Sequence, residues 1–450
     1  MKIRSELSVS ELANKAEAVF ENSALKIESL EREWHSSKGS PVFTVQGRYT
    51  SRGWTEWTQG FQFGSAILQF DATNEKSFLE IGRKNTLQSM AAHLTHTGVH
   101  DHGFNNVSTY GNLLRLWHEG RLSGDEWERN FYEVALKCSA GVQASRWSRT
   151  ADGGGFIYSF NGPQSLFVDT VRTLRVLGIG HRLGHVLMGE NDRAVSLLGR
   201  LVQHADATAR YSVYYGHGRD SYDVRGRVAH ESIFNPNDGN YRCPSTQQGY
   251  SPFSTWTRGL AWAMCGFAEQ LEFLDTLTDD ELTMWGGRAI IEQQMRHAAG
   301  SACDFYIANT ATDGIPYWDT GAPGLTKMED WRERESNPFN AYEPVDSSAA
   351  VIAAQGLLRL GRVLKNDNYW QAGLTVCASV FDEPYLSKDP QHQGLILHSI
   401  YHRPNGWDHI PPGQKVPCGE ASMWGDYHAR ELALYLLRLH RSEPYLKFWS

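Results

Sequence analysis

Two carboxylates stand out among the residues of this chain that could do chemistry. Asp169 lies in the apolar stretch SLFVDTVRTLRVL, and Asp101 follows His100 just before Gly103. Burial of a carboxylate is costly unless it is paired or protonated, and burial or a neighbouring carboxylate raises its pKa. A carboxyl group that keeps its proton near neutral pH can act as a general acid. The simpler interpretations are that Asp169 caps a helix or bonds backbone amides, and that Asp101 caps the helix starting at 103.

A second candidate group lies in the stretch 248–267, QGYSPFSTWTRGLAWAMCGF. Its apolar residues recur at helical spacing, with Ser254 as the expected N-cap. Arg258 and Trp262 are four residues apart, so they share one face of this helix. A guanidinium can bind a carboxylate through two hydrogen bonds while an indole stacks on a ring, which suits an anionic sugar. The alternative is a buried tryptophan beside a structural arginine salt bridge.

Composition narrows the classes of partner. The chain has 450 residues with 41% hydrophobic content, so it can bury a large core. The net charge is −8 at pH 7 and no Lys/Arg-rich run is present, which argues against nucleic acid and against an anionic membrane surface. No run approaches the ~18 apolar residues of a membrane span.

Cysteines and histidines bear on compartment and metal binding. The six cysteines form no C-x-x-C pair, so we expect free thiols in a reducing compartment. The N-terminal stretch lacks the apolar core of a signal peptide, so we expect a cytoplasmic protein, or a periplasmic one if a signal was trimmed. His93 and His96 suggest a zinc site, but no spaced carboxylate or cysteine completes a motif, and we predict no metal.

Hydrophobic periodicity predicts about twelve helices in an all-α chain. Segment 123–143 is amphipathic, with an expected capping box at Ser123 and Glu126. Segment 420–440 is apolar nearly all round and should be buried on every side. The mixture of both kinds indicates two concentric layers. The buried stripe predicted for the first segment is Trp127, Phe131, Val134, Ala135 and Cys138. The predicted helices are 7–34, 57–72, 74–97, 103–119, 123–143, 165–178, 189–208, 254–274, 278–300, 346–362, 366–382 and 420–440.

Two stretches interrupt the helical pattern. Residues 209–253 have the composition of a short hairpin excursion. Residues 301–345 form a long irregular connection that contains WDTGAPG and ESNPFNAYEP. Loops this long in a compact domain are usually functional, and in a two-layer barrel they would rim one end.

The order QGYS…S-x-W-x-RG-x-AW resembles the unsaturated glucuronyl hydrolases, glycoside hydrolase family 88, and the related unsaturated rhamnogalacturonyl hydrolases of family 105. The motifs PYWD at 316–319, EPVDSSAA at 343–350 and WGDY at 424–427 are similar to that family as well. The resemblance extends from about Trp57 to Tyr427. It implies an (α/α)6 barrel, which we predict as a single catalytic domain over residues 1–450.

The resemblance also implies roles for individual residues. Asp169 would be the general acid and then the base that activates water, and Asp101 would hold the water or substrate and raise the pKa of Asp169. The stretch after Asp169 departs from the family's usual Asn-Leu-Pro-like continuation, and no Ser-x-x-Ser-x-Lys run for a sulfate is found. The implied substrate-binding residues are Trp57, His100, Trp147, His230, Gln248, Arg258, Trp262 and His402, with His398 as an alternative to His402.

The implied activity is removal of a 4,5-unsaturated uronic acid from the non-reducing end of oligosaccharides made by polysaccharide lyases. The enzyme would hydrate the C4=C5 vinyl ether, and the resulting hemiketal would open and release the remaining sugar. No metal or organic cofactor is required. The glycan and the oligomeric state stay open. Two alternatives are a sugar epimerase on the same type of barrel and a non-catalytic carbohydrate-binding barrel.

Overall fold

The computed structural model describes residues 1–53 and 56–448. Helices dominate this part of the chain and follow the predicted segments closely. In chain order the α-helices are α1 Val9–Glu33, α2 Gln59–Thr73, α3 Lys76–Ser89, α4 Ala91–Leu94, α5 His102–Asn106, α6 Asn112–His118, α7 Glu126–Ser145, α8 Thr170–Thr173, α9 Arg175–Arg182, α10 Leu197–Tyr211, α11 Thr257–Leu274, α12 Asp279–Thr283, α13 Arg288–Ala308, α14 Ser347–Leu364, α15 Asp367–Val380 and α16 Met423–His440.

Six inner helical units close into a ring. Around the ring, α11 packs against α14, α14 against α16, α16 against α2, α2 against the α5–α6 unit, that unit against α8–α9, and α8 against α11. A π-helical turn at Val107–Gly111 joins α5 to α6. As predicted from their composition, α11, α14 and α16 are buried on nearly every side.

A second layer of helices surrounds this ring. The outer helices α1, α3, α7, α10, α13 and α15 each pack against the outside of at least one inner helix. Their buried residues are confined largely to one face, since the other face meets solvent. The predicted (α/α)6 barrel is therefore confirmed.

The predicted buried stripe of the 123–143 segment is wrong. Trp127 and Val134 are 77% and 56% exposed, and Cys138 is exposed as well. The buried face of α7 carries Tyr132 and Leu136 instead. The helix also begins later than expected. Its cap is Asp125, which accepts from the backbone of Glu128, so the capping box at 123 and 126 does not form. The buried face otherwise consists of Ala135, Ser139, Ala140, Gly141, Gln143 and Ala144.

Short strands lie between the helices. They are β1 Phe43–Val45, β2 Arg48–Thr50, β3 Trp147–Arg149, β4 Gly155–Ile157, β5 Ser165–Phe167, β6 Val186–Met188, β7 Ala194–Ser196, β8 Glu231–Phe234 and β9 Tyr241–Ser245. The hairpin expected within 209–253 is β8–β9, and β5 joins it in an antiparallel sheet of order β5-β8-β9.

The remaining differences concern segment boundaries. The predicted helix 165–178 begins as β5, and α8 starts only after Asp169. Helix α10 likewise follows β7, and α11 begins after Trp256 rather than at a Ser254 cap. Across residues 1–53 and 56–448, no helix combines the length and apolarity needed to cross a bilayer.

Candidate active site

A cavity of about 830 Å³ opens at the end of the barrel where the inner helices begin. Trp57 contributes from just before α2, and His100 and Asp101 from just before α5. Asp169 lies immediately before α8, and Arg258 lies in the first turn of α11. Because the inner helices run in the same direction, polar residues that lie far apart in sequence meet at one mouth.

Close backbone packing brings the two candidate carboxylates together. Gly103, in the first turn of α5, lies so near α8 that an added Cβ would be 2.0 Å from the carbonyl oxygen of Thr173. The Thr173 hydroxyl donates to the carbonyl of His100 at 3.0 Å. A larger residue at 103 would force the two elements apart and with them Asp101 and Asp169.

His100 lies between the two carboxylates. Its Nε2 is 3.1 Å from Oδ1 of Asp169 and 3.9 Å from Oδ1 of Asp101. All three side chains are nearly inaccessible to solvent, yet all three line the cavity. Asp101 occupies the N-cap position of α5, but its side chain accepts no capping hydrogen bond from the described part of that helix. The capping role considered for Asp101 is therefore not seen.

The three side chains of this cluster shift one another's pKa values. Burial lowers the pKa of His100, but the charges of Asp101 and Asp169 and the hydrogen bond to Asp169 outweigh it, so the net pKa is raised. Burial, together with the charge of Asp169, raises the pKa of Asp101 despite the opposing charge of His100. In the free protein, His100 and Asp101 are thus the members that hold protons more strongly than usual.

The pKa predicted for Asp169 had the wrong sign. Burial acts to raise the pKa of Asp169, but the hydrogen bond and charge of His100, with smaller contributions from His230 and Arg258, bring the net pKa below its ordinary value. Asp169 is therefore ionised when the cavity is empty. The prediction named the Asp101 carboxylate as the neighbour that raises this pKa, whereas the imidazole of His100 is the group that bonds Asp169 and lowers it.

The β5-β8-β9 sheet positions His230. Phe167 pairs with Glu231, and the backbone of Val168 donates to the carbonyl of His230 at 2.9 Å, which sets His230 beside Asp169. Nδ1 of His230 accepts from the backbone of Gln247 at 3.1 Å, so the proton of the neutral ring is on Nε2. Burial lowers the pKa of His230 to about 3, so the ring stays neutral.

Arg258 is held by the protein itself. Its Nη1 donates to Asp346 at 2.8 Å and to the carbonyl of Ile400, and its Nη2 donates to Gln248 Oε1 at 2.7 Å and to the carbonyl of Tyr401 at 2.8 Å. The prediction that the Arg258 guanidinium binds the substrate carboxylate through two hydrogen bonds is therefore wrong. The guanidinium instead fixes Gln248 at the cavity wall and adds a positive charge behind it.

Aromatic rings form much of the cavity wall. Trp57 is half-buried and stacks on Trp424 with centroids 5.1 Å apart, and Trp262 contacts Phe104 at 4.8 Å. Large rings held by neighbouring rings offer rigid apolar faces, which suit the ring of a sugar. The wall thus combines flat apolar surfaces with a buried ionic cluster.

Comparison with known proteins identifies the relatives of this chain. No family model matches it. An unsaturated glucuronyl hydrolase of Bacillus sp. (strain GL1) is 27% identical over 421 residues, which are 90% of this chain and 90% of that protein. The chain is a homologue of the unsaturated glucuronyl hydrolases. An unsaturated chondroitin disaccharide hydrolase of Streptococcus agalactiae (serotype III, strain NEM316) is 22% identical over 84% of this chain and 80% of its own length.

Solved structures agree on the fold. The crystal structure of the unsaturated glucuronyl hydrolase from Bacillus sp. GL1 matches with a TM-score of 0.69 at 22% identity, covering 96% of this chain and 97% of that one. An unsaturated glucuronyl hydrolase specific for heparin matches with a TM-score of 0.72 at 16% identity, covering 95% and 98% of the two chains. These structural matches bear on the fold, and the sequence matches to the unsaturated glucuronyl hydrolases confirm the predicted resemblance.

Two residues expected from the resemblance to glucuronyl hydrolases, Trp147 and His230, are not among the described residues that line the cavity. The ring of His230 packs against two residues that do line it, Phe167 and Trp256, with centroids 4.5 Å from each. Trp147 lies in β3, where the guanidinium of Arg200 covers its ring at 3.8 Å. Among the described residues it is not part of the cavity lining, so its predicted stacking role is wrong. Phe160, which the sequence analysis missed, lines the cavity and stacks against His100 at 6.1 Å.

The structure decides between the two late histidines. His402 lines the cavity, packs on Trp407 at 4.8 Å, and has its pKa lowered to about 4 by burial. His398 lies elsewhere, with Nδ1 accepting from the backbone of Gly419. Other lining residues that sequence reasoning missed come from loops without a recognisable motif. They are Asn161, Gln247, Tyr401, Asn405 and Trp407.

The histidines considered for zinc have other partners or positions. His93 bonds Gln59 at 2.8 Å and Asn105 at 3.2 Å. His96 lines the cavity and is half-buried. Within the described ranges, no group of His, Cys, Asp and Glu side chains has the arrangement of a metal site.

Proposed function

We propose that this protein is a glycosidase that removes a 4,5-unsaturated uronic acid from the non-reducing end of an oligosaccharide by hydrating its C4=C5 double bond. The observation that carries the proposal is the His100 imidazole held between Asp101 and Asp169 on the wall of an aromatic-lined cavity. Relatives support the substrate class. A Streptococcus agalactiae unsaturated glucuronyl hydrolase variant has been crystallised with ΔGlcA-GalNAc6S.

The chemistry requires one proton and one water. An acid adds a proton to C4 of the vinyl ether, which develops positive charge at C5 and the ring oxygen. Water then adds at C5 and loses a proton to a base, and the hemiketal opens to release the remaining sugar. A single carboxyl group can serve as the acid in the first step and as the base in the second.

Asp169 fits this double role through its bond to His100. It is ionised in the free protein, whereas His100 holds its proton strongly. A bound uronate brings another negative charge into the cavity, which raises the pKa of Asp169 and of His100 alike, so their shared proton stays within the pair. A proton can then pass along the 3.1 Å hydrogen bond from Nε2 of His100 to Oδ1 of Asp169. Asp169 becomes the acid, and its conjugate base later accepts the proton of the attacking water.

Asp101 and His230 support the same steps. The charge of Asp101 keeps His100 protonated until the substrate arrives. His230 stays neutral, with its Nε2–H buried near Asp169 and without a hydrogen-bond partner in the described part of the chain. That N–H can therefore donate to a substrate oxygen or to the attacking water.

Gln248 and Arg258 orient the uronate. Because Oε1 of Gln248 accepts from Arg258, the remaining polar group of Gln248 is its NH2, a donor suited to a carboxylate or hydroxyl oxygen. The buried guanidinium behind it adds positive charge without needing to touch the substrate. Trp57 and Trp262 supply faces for the sugar ring.

The test is a product screen with unsaturated disaccharides from several lyase digests. The conjugated double bond absorbs in the ultraviolet, so hydration removes that absorbance. We expect the wild-type protein to abolish it for at least one disaccharide and to release an equimolar free sugar. Retention of the absorbance across the panel would contradict the proposal. An epimerase or a non-catalytic binding barrel would leave the double bond intact.

A further inference from the structure

The long connection 301–345 forms a groove of its own. The groove has a volume of about 400 Å³ and is lined by residues between Tyr317 and Tyr342. None of the described residues of this connection lines the active-site cavity. We propose that this groove, the loop groove, is a second site that binds a saccharide chain.

Aromatic rings give the loop groove its apolar surfaces. Trp331 is half-buried, its ring meets Tyr317 edge to face with centroids 5.4 Å apart, and the guanidinium of Arg332 covers one face of the ring at 4.8 Å, which leaves the other face for a ligand. Tyr342 is 46% exposed and lines the same groove. An aromatic residue that is anchored on one side and open on the other can stack on the apolar face of a sugar. Anchoring also limits the entropy lost on binding.

Polar side chains complete the lining. Lys327 and Arg334 offer donors, and Glu329 and Glu335 offer acceptors, all of them exposed to solvent. Asn337 adds an amide that can serve in both ways. A pyranose ring presents hydroxyls that both donate and accept, so this mixture of groups suits its rim. A purely apolar ligand would leave these groups without partners.

The loop is held rigidly although it lacks regular structure. Asn340 donates to the carbonyls of Asn337 and Glu343, at 2.7 and 2.6 Å, and accepts from the backbone of Tyr342 at 2.8 Å. The Glu343 carboxylate accepts from the indole of Trp318 at 2.8 Å. These bonds fix the backbone on either side of Tyr342. The groove therefore exists before a ligand arrives, as is usual for small-ligand sites.

Native gel electrophoresis in gels containing hyaluronan, chondroitin sulfate or xanthan tests this site. An intact polysaccharide has no unsaturated end, so retardation reports binding rather than turnover. We expect at least one polymer to retard wild-type protein and Asp169→Asn equally. Trp331→Ala should weaken that binding about tenfold, and Tyr342→Ala should weaken it less.

Phe339→Ala is the matched control. Phe339 is 55% exposed in the same connection but does not line the groove, so its removal should leave retardation unchanged. Trp331→Ala, Tyr342→Ala and Phe339→Ala should each hydrate unsaturated disaccharides like the wild type, which shows that they are folded. No retardation by any polymer, or equal retardation of wild type and both groove variants, would overturn the proposal. Failure of the disaccharide assay alone would count against the proposed function and not against this site.

Discussion

Two buried clusters of charged side chains in the barrel differ in what their cations can do. The cavity cluster has one imidazole, His100, between two carboxylates. The core cluster lies deeper, among the inner helices, and pairs arginines with glutamates. Its closest contacts are Arg172–Glu431 at 2.9 Å, Arg172–Glu269 at 3.0 Å, Arg359–Glu272 at 2.8 Å and Arg175–Glu431 at 3.4 Å.

The two clusters show that buried charges can serve either catalysis or the stability of the fold. An arginine keeps its proton at any working pH, so the core cluster can fix helices but cannot exchange protons. The charges of Glu269 and Glu431 outweigh burial and raise the pKa of Arg172 further. The charges of Asp101 and Asp169 outweigh burial and raise the pKa of His100, yet an imidazole can still release its proton, and His100 borders a cavity, so it can serve as a proton store.

The largest expected effect is on the cavity cluster. Asp169→Asn preserves the shape of the side chain but removes the acid and base, so kcat should fall by about 10²–10⁴-fold. The thermal midpoint should stay close to that of the wild type. Steady-state kinetics and a thermal melt on the same preparation measure both quantities. Activity within a few-fold of wild type would remove Asp169 from the mechanism.

A substitution in the core cluster should instead lower the stability of the fold. Glu431→Ala leaves the buried Arg172 and Arg175 short of a carboxylate, which should lower the free energy of unfolding by about 3–5 kcal/mol. Urea titration measures the loss. The exposed pair of Lys388 and Glu383 is the control, since Glu383→Ala should cost no more than ~1 kcal/mol. Similar losses for both variants would mean that the core cluster is not structurally important.

A smaller effect is expected behind the cavity wall. Arg258→Ala should lower kcat/KM, with a loss of transition-state stabilisation of about 1.5–3 kcal/mol. The reason is that Gln248 and the carbonyl of Ile400 lose a charged hydrogen-bond donor. Since the guanidinium acts through Gln248, the double variant with Gln248→Ala should lose less than the sum of the two single losses. Esterifying the substrate carboxylate removes only the long-range attraction to the guanidinium, so most of the loss should remain. Additive losses, or a loss seen only with the free acid, would contradict this prediction and indicate that Arg258 contacts the substrate carboxylate directly.

The smallest effect is a shift in pH dependence. The charge of Asp101 raises the pKa of His100, and the protonated imidazole supplies the proton, so activity should fall as the pH rises through that raised pKa. Asp101→Asn removes this charge, and His100 should lose its proton at lower pH. The alkaline limb of the kcat/KM profile should therefore move to lower pH. An unmoved limb would show that the two groups are not coupled.

The fold was largely predictable from the sequence because buried and amphipathic helices differ in composition. The apolar character of 420–440 leaves α16 no solvent-facing side, and it is an inner helix. The orientation of α7 was not predictable in the same way. Trp127 and Val134 have helical spacing, but so do the smaller residues that face the barrel, and packing against the inner helices decides between the two faces.

The site was predictable as a set of residues but not as an electrostatic system. His100, Asp101 and Asp169 lie at the entries of inner helices, and the structure brings them together. The sign of the pKa shift at Asp169 depends on a 3.1 Å contact with a residue far away in sequence. The partners of Arg258 are likewise backbone carbonyls of a loop near residue 400, which no local pattern reveals.

Hydration in D2O tests the central claim most directly. If the cavity cluster delivers a proton to C4, the uronate product of the wild-type reaction should carry one deuterium at C4, in a single configuration. Proton NMR and mass spectrometry of the product measure its position and number. Release of a uronate that still contains its double bond, or that carries no deuterium at C4, would contradict the account.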